Sequence, residues 1–394
     1  MRHHIRAQVV GAIVCWASSM APAGELDPPA PPAPTANLDE PRIPITSLPI
    51  SIEESGSYYL TQTLTGVPGE HGITIFASNV TIDLNGFSLI GATNASGEPM
   101  SLDAVHQLVV LLGAAGIAPH GADTSQETNL AVVNGGIQGW GGFGVNFDTG
   151  HQSRVADLAV QACSAGGIRM ANGALIEACR VTNCGGHGIE TGSGSRIANC
   201  LSDGNVLDGV TTGERCVVTD STARLNGDRG FFFQSDTMAT RLTAADNGTE
   251  GIRIQANCIL TDSTSSDNKV DGIRTSNRST VRGCTVVGSR FHGINVFADN
   301  VITDNLCSNN GFGDVGAGIF VSQGRSRIER NHVLLQDYGI QVTGTRNLII
   351  GNTASGNSSA EYHIGADNDV GEILDLTAVD GEFTPPNPWA NVVF

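Results

Sequence analysis

The sequence predicts an all-β fold, a right-handed parallel β-helix with coils of 21 residues, from three observations. A glycine followed by an aliphatic or aromatic residue recurs every 21 residues, and such a period is typical of a solenoid in which each repeat forms one turn. Short stretches near each glycine alternate between apolar and polar residues, as strands with one buried face do. The 3.6-residue period of helical repeats and the framework of leucine-rich repeats are both absent. The pairs are Gly167-Ile168, Gly188-Ile189, Gly209-Val210, Gly230-Phe231, Gly251-Ile252, Gly272-Ile273, Gly293-Ile294, Gly318-Ile319 and Gly339-Ile340.

Each coil is predicted to contain three short strands. The first follows the glycine, because the first and third residues after it are apolar or threonine and the residue between them is mostly polar. The second has inward candidates nine and seven residues before the glycine, and the third has one twelve residues before it. Gly, Asn, Asp and Ser separate these strands, as expected at turns. We expect about 11 to 12 such coils, with a four-residue insertion near 308–316.

An asparagine-rich column lies four residues before the glycine. In stacked coils the same position recurs about 4.8 Å further along the axis. Asparagine side chains at that spacing can hydrogen-bond one another and the turn backbone, so the column predicts an internal ladder. Its members are Cys163, Cys184, Asn205, Asn226, Asn247, Asn268 and Ser289.

The amino-terminal segment predicts export. Residues 1–23 combine Arg2 and Arg6 with a short apolar core, Val9–Trp16, and a small-residue cleavage site at Ala21–Ala23, as a secretory signal peptide does. The core is too short to span a bilayer, and no transmembrane segment is predicted. We assign residues 24–49 to a Pro-rich linker and 50–394 to the β-helix domain, with an irregular insertion or cap at 92–128 and a carboxy-terminal cap at 380–394.

Charge and cysteine content limit the classes of partner. The chain has a net charge of −18, which argues against a nucleic-acid partner and suits an extracellular or periplasmic protein. Eight cysteines follow the predicted signal peptide. The pairs Cys163/Cys184 and Cys179/Cys200 are one coil apart, so both disulfides and stacked thiols are possible. No Cys/His cluster has metal-ligand spacing, and no metal site is predicted.

Two columns beside the glycine hold the candidate site. If the residue before the glycine and the second residue after it both point outward, neighbouring coils bring carboxylates, arginines and a histidine into one patch, formed by Glu250, Arg253, Asp271, Arg274, His292 and Asn295. Such groups suit acid–base chemistry and recognition of uronate or sulfate, although a solvated surface with weak cross-coil ion pairs is the alternative. The candidate catalytic residues are Arg229, Asp271, Arg274 and His292, and the candidate substrate-binding residues are His187, Asp208, Phe232, Glu250, Arg253 and Asn295.

Three further motifs carry a family resemblance. The segments GSYYL at Gly56–Leu60, TIDLNGF at Thr81–Phe87 and NPWAN at Asn387–Asn391, together with the repeats, resemble secreted right-handed β-helix proteins of the pectate-lyase-like superfamily, in a bacterial subgroup of unassigned function. The superfamily includes polysaccharide lyases, glycoside hydrolases, epimerases, phage tailspikes, adhesins and non-catalytic scaffolds, so the resemblance implies the fold and leaves the activity open.

We therefore expect a secreted protein that binds a polysaccharide, with an acidic glycan favoured. If the protein is an enzyme, it also cleaves that polysaccharide. Any enzymatic activity would be that of a polysaccharide lyase or glycoside hydrolase. No cofactor is required, but Ca²⁺ is possible because Asp208, Glu250 and Asp271 offer oxygen ligands. The alternatives are a non-catalytic extracellular scaffold or adhesin, and a periplasmic accessory role in the maturation of a metal enzyme.

Overall fold

A computed structural model describes residues 42–94, 99, 101, 103–107, 128–312, 316–377 and 387–394. The predicted signal peptide, most of the predicted linker and much of the predicted insertion and carboxy-terminal cap lie outside these residues. The described residues form a parallel β-solenoid of about 14 turns with a spacing of about 21 residues and no helix. This exceeds the predicted 11 to 12 coils, because four turns precede Gly167 and their strands at Ile73–Ile75, Val105–Gln107 and Phe143–Phe147 are irregularly spaced.

One sheet follows the repeat glycines, and we call its outer surface the glycine face. It contains 14 parallel strands, each paired with its equivalent in the next coil, as Ile252 is with Ile273. The strands are Ile50–Ile52, Ile73–Ile75, Val105–Gln107, Phe143–Phe147, Gly166–Met170, Ile189–Thr191, Val210–Thr212, Phe231–Phe233, Ile252–Ile254, Ile273–Thr275, Ile294–Val296, Ala317–Val321, Tyr338–Val342 and Ala360–Ile364.

A second sheet of 28 strands holds the other two strand columns of each coil. In most coils a corner separates two short strands, whereas Ala131–Gln138 and Arg154–Gln161 run through it. The strands are Ile43–Ile45, Gly56–Leu60, Leu64–Thr65, Val80–Asp83, Ser88–Ile90, Ala131–Gln138, Arg154–Gln161, Leu175–Glu177, Arg180–Thr182, Arg196–Ala198, Leu201–Asp203, Val217–Thr219, Thr222–Arg224, Met238–Thr240, Thr243–Ala245, Ile259–Thr261, Thr264–Ser266, Thr280–Arg282, Thr285–Val287, Val301–Thr303, Leu306–Ser308, Arg327–Glu329, His332–Leu334, Leu348–Ile350, Thr353–Ser355, Asp369–Val370, Ile373–Asp375 and Asn391–Val393.

The repeat glycine is required by the close approach of the neighbouring side chains. A Cβ at Gly251 would lie 2.2 Å from the Ser265 hydroxyl oxygen and 2.5 Å from Asn268 Nδ2, which is closer than van der Waals contact. The residue that follows the glycine is buried, as Ile252 and Ile273 are. The 21-residue pattern therefore reflects one inward-facing position in each coil where a side chain larger than hydrogen would collide with the interior.

The predicted asparagine ladder is confirmed. Nδ2 of Asn226 donates to Oδ1 of Asn247 at 3.1 Å, and Nδ2 of Asn247 donates to Oδ1 of Asn268 at 3.0 Å. The residue before each rung has a left-handed backbone, for example Asp246 with φ of 56°, which turns the chain at the corner. Asp and Asn tolerate this conformation better than most residues, which explains their abundance in the sequence.

The other two corners also carry ladders, which the sequence analysis did not identify. Asn305, Asn331, Asn352 and Asn391 form one through successive side-chain hydrogen bonds of 2.9 to 3.0 Å. At the remaining corner, side chains of successive coils accept from the backbone N–H of the preceding coil, as Asn300 does from Ser279 at 2.8 Å. All three corners are therefore stabilised by buried polar side chains.

The eight described cysteines are buried and unbridged. Cys163 and Cys184 continue the first asparagine ladder into the earlier coils, and Cys179 and Cys200 similarly continue the second. Burial raises the pKa of Cys284 to about 12, so this thiol stays protonated and unreactive near neutral pH. Within the described part of the chain, the cysteines are thiols; Cys307 occupies an inward position in the strand Leu306–Ser308, and the other seven occupy ladder positions.

The ends of the solenoid differ from the predicted boundaries. Strand Ile43–Ile45 pairs with Gly56–Leu60, so the β-helix begins before the predicted boundary at residue 50. Strand Val105–Gln107 belongs to the glycine-face sheet, although 92–128 was predicted to be irregular. At the other end, Asn391–Val393 pairs with Thr353–Ser355. None of the described segments is a helix that is long and apolar enough to cross a membrane.

Candidate functional site

The second residue after the repeat glycine points outward, as predicted, and forms a continuous column on the glycine face. Phe232 pairs in register with Arg253, Arg253 with Arg274, and Arg274 with Asn295. Asn295 in turn pairs with Phe320. Five successive coils therefore present two arginines and an asparagine between two phenylalanine rings.

The residue before the glycine does not point freely outward, and this part of the prediction is wrong. Asp208, Glu250 and Asp271 are 1%, 6% and 2% exposed. Two of them accept hydrogen bonds from the backbone N–H of the next coil: Oδ1 of Asp208 from Arg229 at 3.1 Å, and Oδ1 of Asp271 from His292 at 3.1 Å. The carboxylates of Asp208 and Asp271 thus accept the backbone N–H groups just before the next strand begins. All three carboxylates lie beneath the outward side chains.

The histidines in this column accept the same type of hydrogen bond. Nδ1 of His187 accepts from the backbone N–H of Asp208 at 3.2 Å, and Nδ1 of His292 accepts from that of Ala317 at 3.1 Å. An Nδ1 that accepts a hydrogen bond carries no proton, so the neutral ring is protonated at Nε2. In the neutral form, His187 and His292 therefore present an Nε2–H donor to a ligand.

The first group of predicted residues surrounds Asp208. Nε of Arg229 donates to Oδ1 of Asp208 at 2.9 Å, and its guanidinium lies 4.1 Å from the ring centre of Phe232. Nδ1 of His187 is 3.5 Å from Oδ2 of Asp208. Burial raises the pKa of Asp208, and the charge of Arg229 opposes that increase. Arg229 is thus held tightly by protein groups.

The second group surrounds Glu250. Its carboxylate is buried below the guanidinium groups of Arg253 and Arg274, at 3.7 and 3.4 Å, and the two arginine side chains are 35% and 45% exposed. Arginines at the corners are paired more tightly: Arg241 makes two hydrogen bonds to Asp220, at 2.5 and 2.7 Å. Arg253 and Arg274 therefore keep donors that face solvent and can bind a ligand.

The same group extends to Asp271 and His292. Oδ2 of Asp271 accepts from Nδ2 of Asn295 at 2.8 Å, and the His292 ring stacks on Phe320 with centroids 4.5 Å apart. Burial raises the pKa of Asp271, and burial lowers the pKa of His292. Phe320 was missed in the sequence because a four-residue insertion separates it from the regular repeats, although it is also the second residue after a repeat glycine.

The structure brings the predicted residues into two adjoining groups, which meet where the guanidinium of Arg253 lies 5.8 Å from the ring centre of Phe232. His187, Asp208, Arg229 and Phe232 form the first, and Glu250, Arg253, Asp271, Arg274, His292 and Asn295 form the second. His187 and His292 lie five coils apart, about 24 Å at the usual strand spacing. Asp208 and Asp271 lie three coils apart, so the three predicted oxygen ligands for Ca²⁺ do not converge. Among the described residues, no group of three or more His, Cys, Asp or Glu side chains could hold a metal ion.

We expect the His292→Gln variant to lose less folding stability than the wild type when the pH falls. Because the pKa of His292 is lowered in the folded state, the unfolded chain binds this proton more readily, and stability is lost as the pH falls through 6.5 towards the folded pKa. A glutamine oxygen can still accept from Ala317, so thermal unfolding between pH 7.5 and 5.5 should show a smaller loss of stability than in the wild type. The raised pKa of Asp271 acts in the opposite direction, at pH values closer to its ordinary 3.8.

His292→Ala serves as the comparison variant. It leaves the backbone N–H of Ala317 without its acceptor and should cost about 1–3 kcal/mol at pH 7.5. An identical pH dependence in His292→Gln and the wild type would show that this ring does not titrate differently on folding.

Comparisons with known proteins agree with this architecture. A family model described as "Periplasmic copper-binding protein (NosD)" matches residues 207–392, and one described as "Right handed beta helix region" matches residues 116–243. No curated protein matches the chain significantly.

Solved structures resemble the solenoid at low sequence identity. The A-module of the mannuronan C-5 epimerase AlgE4 from Azotobacter vinelandii superposes with a TM-score of 0.52 at 17% identity, covering 84% of this chain and 90% of that module. The A-module of AlgE6 from the same organism superposes with a TM-score of 0.52 at 16% identity, covering 84% and 88%. At this identity the likeness concerns the fold alone.

Proposed function

We propose that this chain, a right-handed parallel β-helix of the pectate-lyase-like type, binds an acidic polysaccharide on its glycine face outside the cytoplasm. The observation that carries the proposal is the stacked pair Arg253 and Arg274, half-exposed above the buried carboxylate of Glu250. The guanidinium fork matches the geometry of carboxylate and sulfate groups, so these arginines suit the acidic substituents of a glycan.

The depth of the charged groups below the surface of the glycine face favours an anionic ligand. The carboxylates of Glu250 and Asp271 are buried, whereas Arg253 and Arg274 lie above them and meet the solvent first. An approaching carboxylate is therefore closer to the guanidinium groups than to the acids. This arrangement stands out in a chain whose net charge is −18.

Two aromatic rings flank the arginines. Phe232 lies one coil before Arg253, and Phe320 lies two coils after Arg274. The rings are four coils apart, about 19 Å, a distance that accommodates several sugar units. Arg229 and Arg253 lie over the Phe232 ring and His292 stacks on Phe320, so the parts of these rings left exposed can contact the C–H groups of sugar rings while Arg253 and Arg274 bind acidic substituents. The face thus suits a polymer better than a single sugar.

The comparisons support a glycan ligand in general terms. The two epimerase modules share the fold and are named for a polysaccharide substrate, mannuronan. The family description that matches residues 207–392 names a periplasmic protein, which supports a location in the periplasm or outside the cell. The predicted signal peptide suits the same location.

Catalysis is a further part of the proposal. Arg229, Asp271, Arg274 and His292 are candidates for it, with His292 as a proton donor through Nε2 and Arg274 as the group that neutralises a substrate carboxylate. The hydrogen bonds that Asp208 and Asp271 already accept favour binding over proton abstraction by these acids. The proposal therefore covers a lyase, a hydrolase and a non-catalytic adhesin. Each could bind the glycan with or without Ca²⁺.

Incubating the mature protein with uronic-acid, sulfated and neutral polysaccharides, with and without calcium, tests the proposal. Affinity electrophoresis should show retention by acidic polymers that weakens with added salt, because exposed charges are screened. Ultraviolet absorbance reports unsaturated lyase products, and a reducing-sugar assay reports hydrolysis. Retention without product identifies a binding protein, whereas absence of retention by every acidic polymer contradicts the proposed function.

A further inference from the structure

A separate cleft of about 360 Å³ lies where the glycine-face strands Phe143–Phe147, Gly166–Met170 and Ile189–Thr191 end. Its side chains are mostly polar, and charged groups from three successive coils line it. Its polar lining includes Asp148, Thr149, His151, Arg169, Asn172 and Glu190. The volume is within the usual range for small-molecule sites.

The cleft arises from a longer connection in one coil. Phe147 pairs with Met170 and Arg154 with Leu175, so residues 148–153 occupy the place that residues 171–174 occupy in the next coil. The two additional residues lie in the segment that contributes Asp148, Thr149 and His151 to the cleft. The regular coils that follow have the shorter connection, which explains why the cleft occurs at this end of the face.

Arg169 lies between two carboxylates and is too far from each of them for a hydrogen bond. Its guanidinium nitrogens are 3.7 Å from Oδ2 of Asp148 and 3.7 Å from Oε2 of Glu190, distances longer than a hydrogen bond. All three side chains are between a third and two fifths exposed. Arg169 also lies over the Phe143 ring, 5.6 Å from its centre. By contrast, Arg241 and Asp220 form two direct hydrogen bonds, so oppositely charged side chains of neighbouring coils can be in direct contact in this fold.

We propose that this cleft binds an uncharged sugar unit. Its three charged groups carry two negative charges and one positive charge, so a uronate or sulfate would be repelled. A pair of neighbouring hydroxyl groups can accept hydrogen bonds from Arg169 and donate to Asp148 and Glu190 at the same time. Among polar ligands that must both donate and accept, this pairing is typical of a sugar ring.

The cleft is also distinct from the acidic-glycan site. Arg169 lies four coils from Arg253, about 19 Å along the same face. If the proposed function is correct, the glycan that fills the whole face combines uncharged and acidic units. That consequence rests on the proposed function, whereas binding of an uncharged sugar in the cleft does not.

Saturation-transfer NMR with methyl glycosides tests the cleft directly. We expect signals from at least one uncharged probe among the methyl glycosides of glucose, galactose, mannose and N-acetylglucosamine, and none from methyl galacturonide at this site. Arg169→Met keeps the aliphatic stem and should weaken binding of the uncharged probe at least tenfold. The double variant Arg253→Ala/Arg274→Ala is the matched control and should bind this probe as the wild type does.

A second variant tests the charge argument without removing the arginine. Asp148→Asn/Glu190→Gln keeps side-chain size, leaves Arg169 as the charged group, and should admit methyl galacturonide. Circular dichroism and the melting temperature check that each variant is folded. Absence of binding by every uncharged probe, or wild-type binding by Arg169→Met, would overturn the cleft proposal, while retention of acidic polymers would separately report on the Arg253/Arg274 site.

Discussion

Replacing Arg253 and Arg274 together with alanine is expected to abolish measurable binding of acidic polysaccharides. Each arginine offers charge-assisted hydrogen bonds, and losing such a bond costs about 1.5–3 kcal/mol. Removing both therefore predicts a loss of roughly a hundredfold to ten-thousandfold in affinity. Affinity electrophoresis or calorimetry with a uronic-acid polymer measures the effect.

The buried Glu250 requires an additional variant. Both arginines face its carboxylate, so their removal leaves a poorly compensated buried charge that lowers stability. Adding Glu250→Gln to the double variant removes that charge and should restore the melting temperature without restoring binding. Loss of affinity in the triple variant is then attributable to the missing arginines rather than to unfolding.

Arg241→Ala/Arg325→Ala is the matched control because it removes the same net charge from the corners of the solenoid. These arginines are paired with Asp220 and Asp299; Arg241 lies between two strands of the second sheet, and Arg325 lies at the corner that follows the glycine-face strand Ala317–Val321. Its affinity should equal that of the wild type at moderate salt. Equal loss in both double variants would show that binding depends on overall charge and not on the proposed site.

Asn247→Ala, in the middle of the first asparagine ladder, is expected to produce a large loss of stability. Asn247 is fully buried, and its Oδ1 accepts from the backbone N–H and from Nδ2 of Asn226 at 3.2 and 3.1 Å. Its Nδ2 donates to Asn268 and to the carbonyl oxygen of Ala223. Each buried partner left unsatisfied costs about 1–3 kcal/mol, so the free energy of unfolding should fall by about 3 kcal/mol or more.

Thr243→Ala in the same coil is the control for this substitution. Thr243 lies in an exposed strand position, so its replacement should change the free energy of unfolding by only about 0.5 kcal/mol. Urea unfolding monitored by circular dichroism compares the two variants. If Asn247→Ala costs as little as Thr243→Ala, the ladder does not contribute to stability as proposed.

The repeat in the sequence predicted those parts of the structure that recur in every coil. The glycine period located the buried residues Ile252 and Ile273, the ladder residues Asn226 and Asn247, and the outward position of Arg253, because each depends only on its place in the coil. Side chains with the same place share the same environment throughout a regular solenoid. This is why the fold and the outward column could be predicted without an alignment.

The parts that the sequence analysis missed depend on contacts between coils or on departures from the period. Asp271 was expected to be outward, but its carboxylate turns to accept the backbone N–H of His292, a bond that alternation of polar and apolar residues does not reveal. The cleft around Arg169 depends on a two-residue difference in one connection, and Phe320 follows an insertion. Such features require knowledge of which residues pair in register.

Calorimetric titration with a uronic-acid polymer and the same polymer after reduction of its carboxyl groups tests the central claim most directly. The two ligands share length, linkage and ring shape and differ only in charge. If Arg253 and Arg274 bind acidic substituents, the native polymer binds and the reduced polymer loses at least a hundredfold in affinity. Equal binding of the two polymers would contradict the account, because the glycine face would then recognise the sugar backbone without its carboxylates.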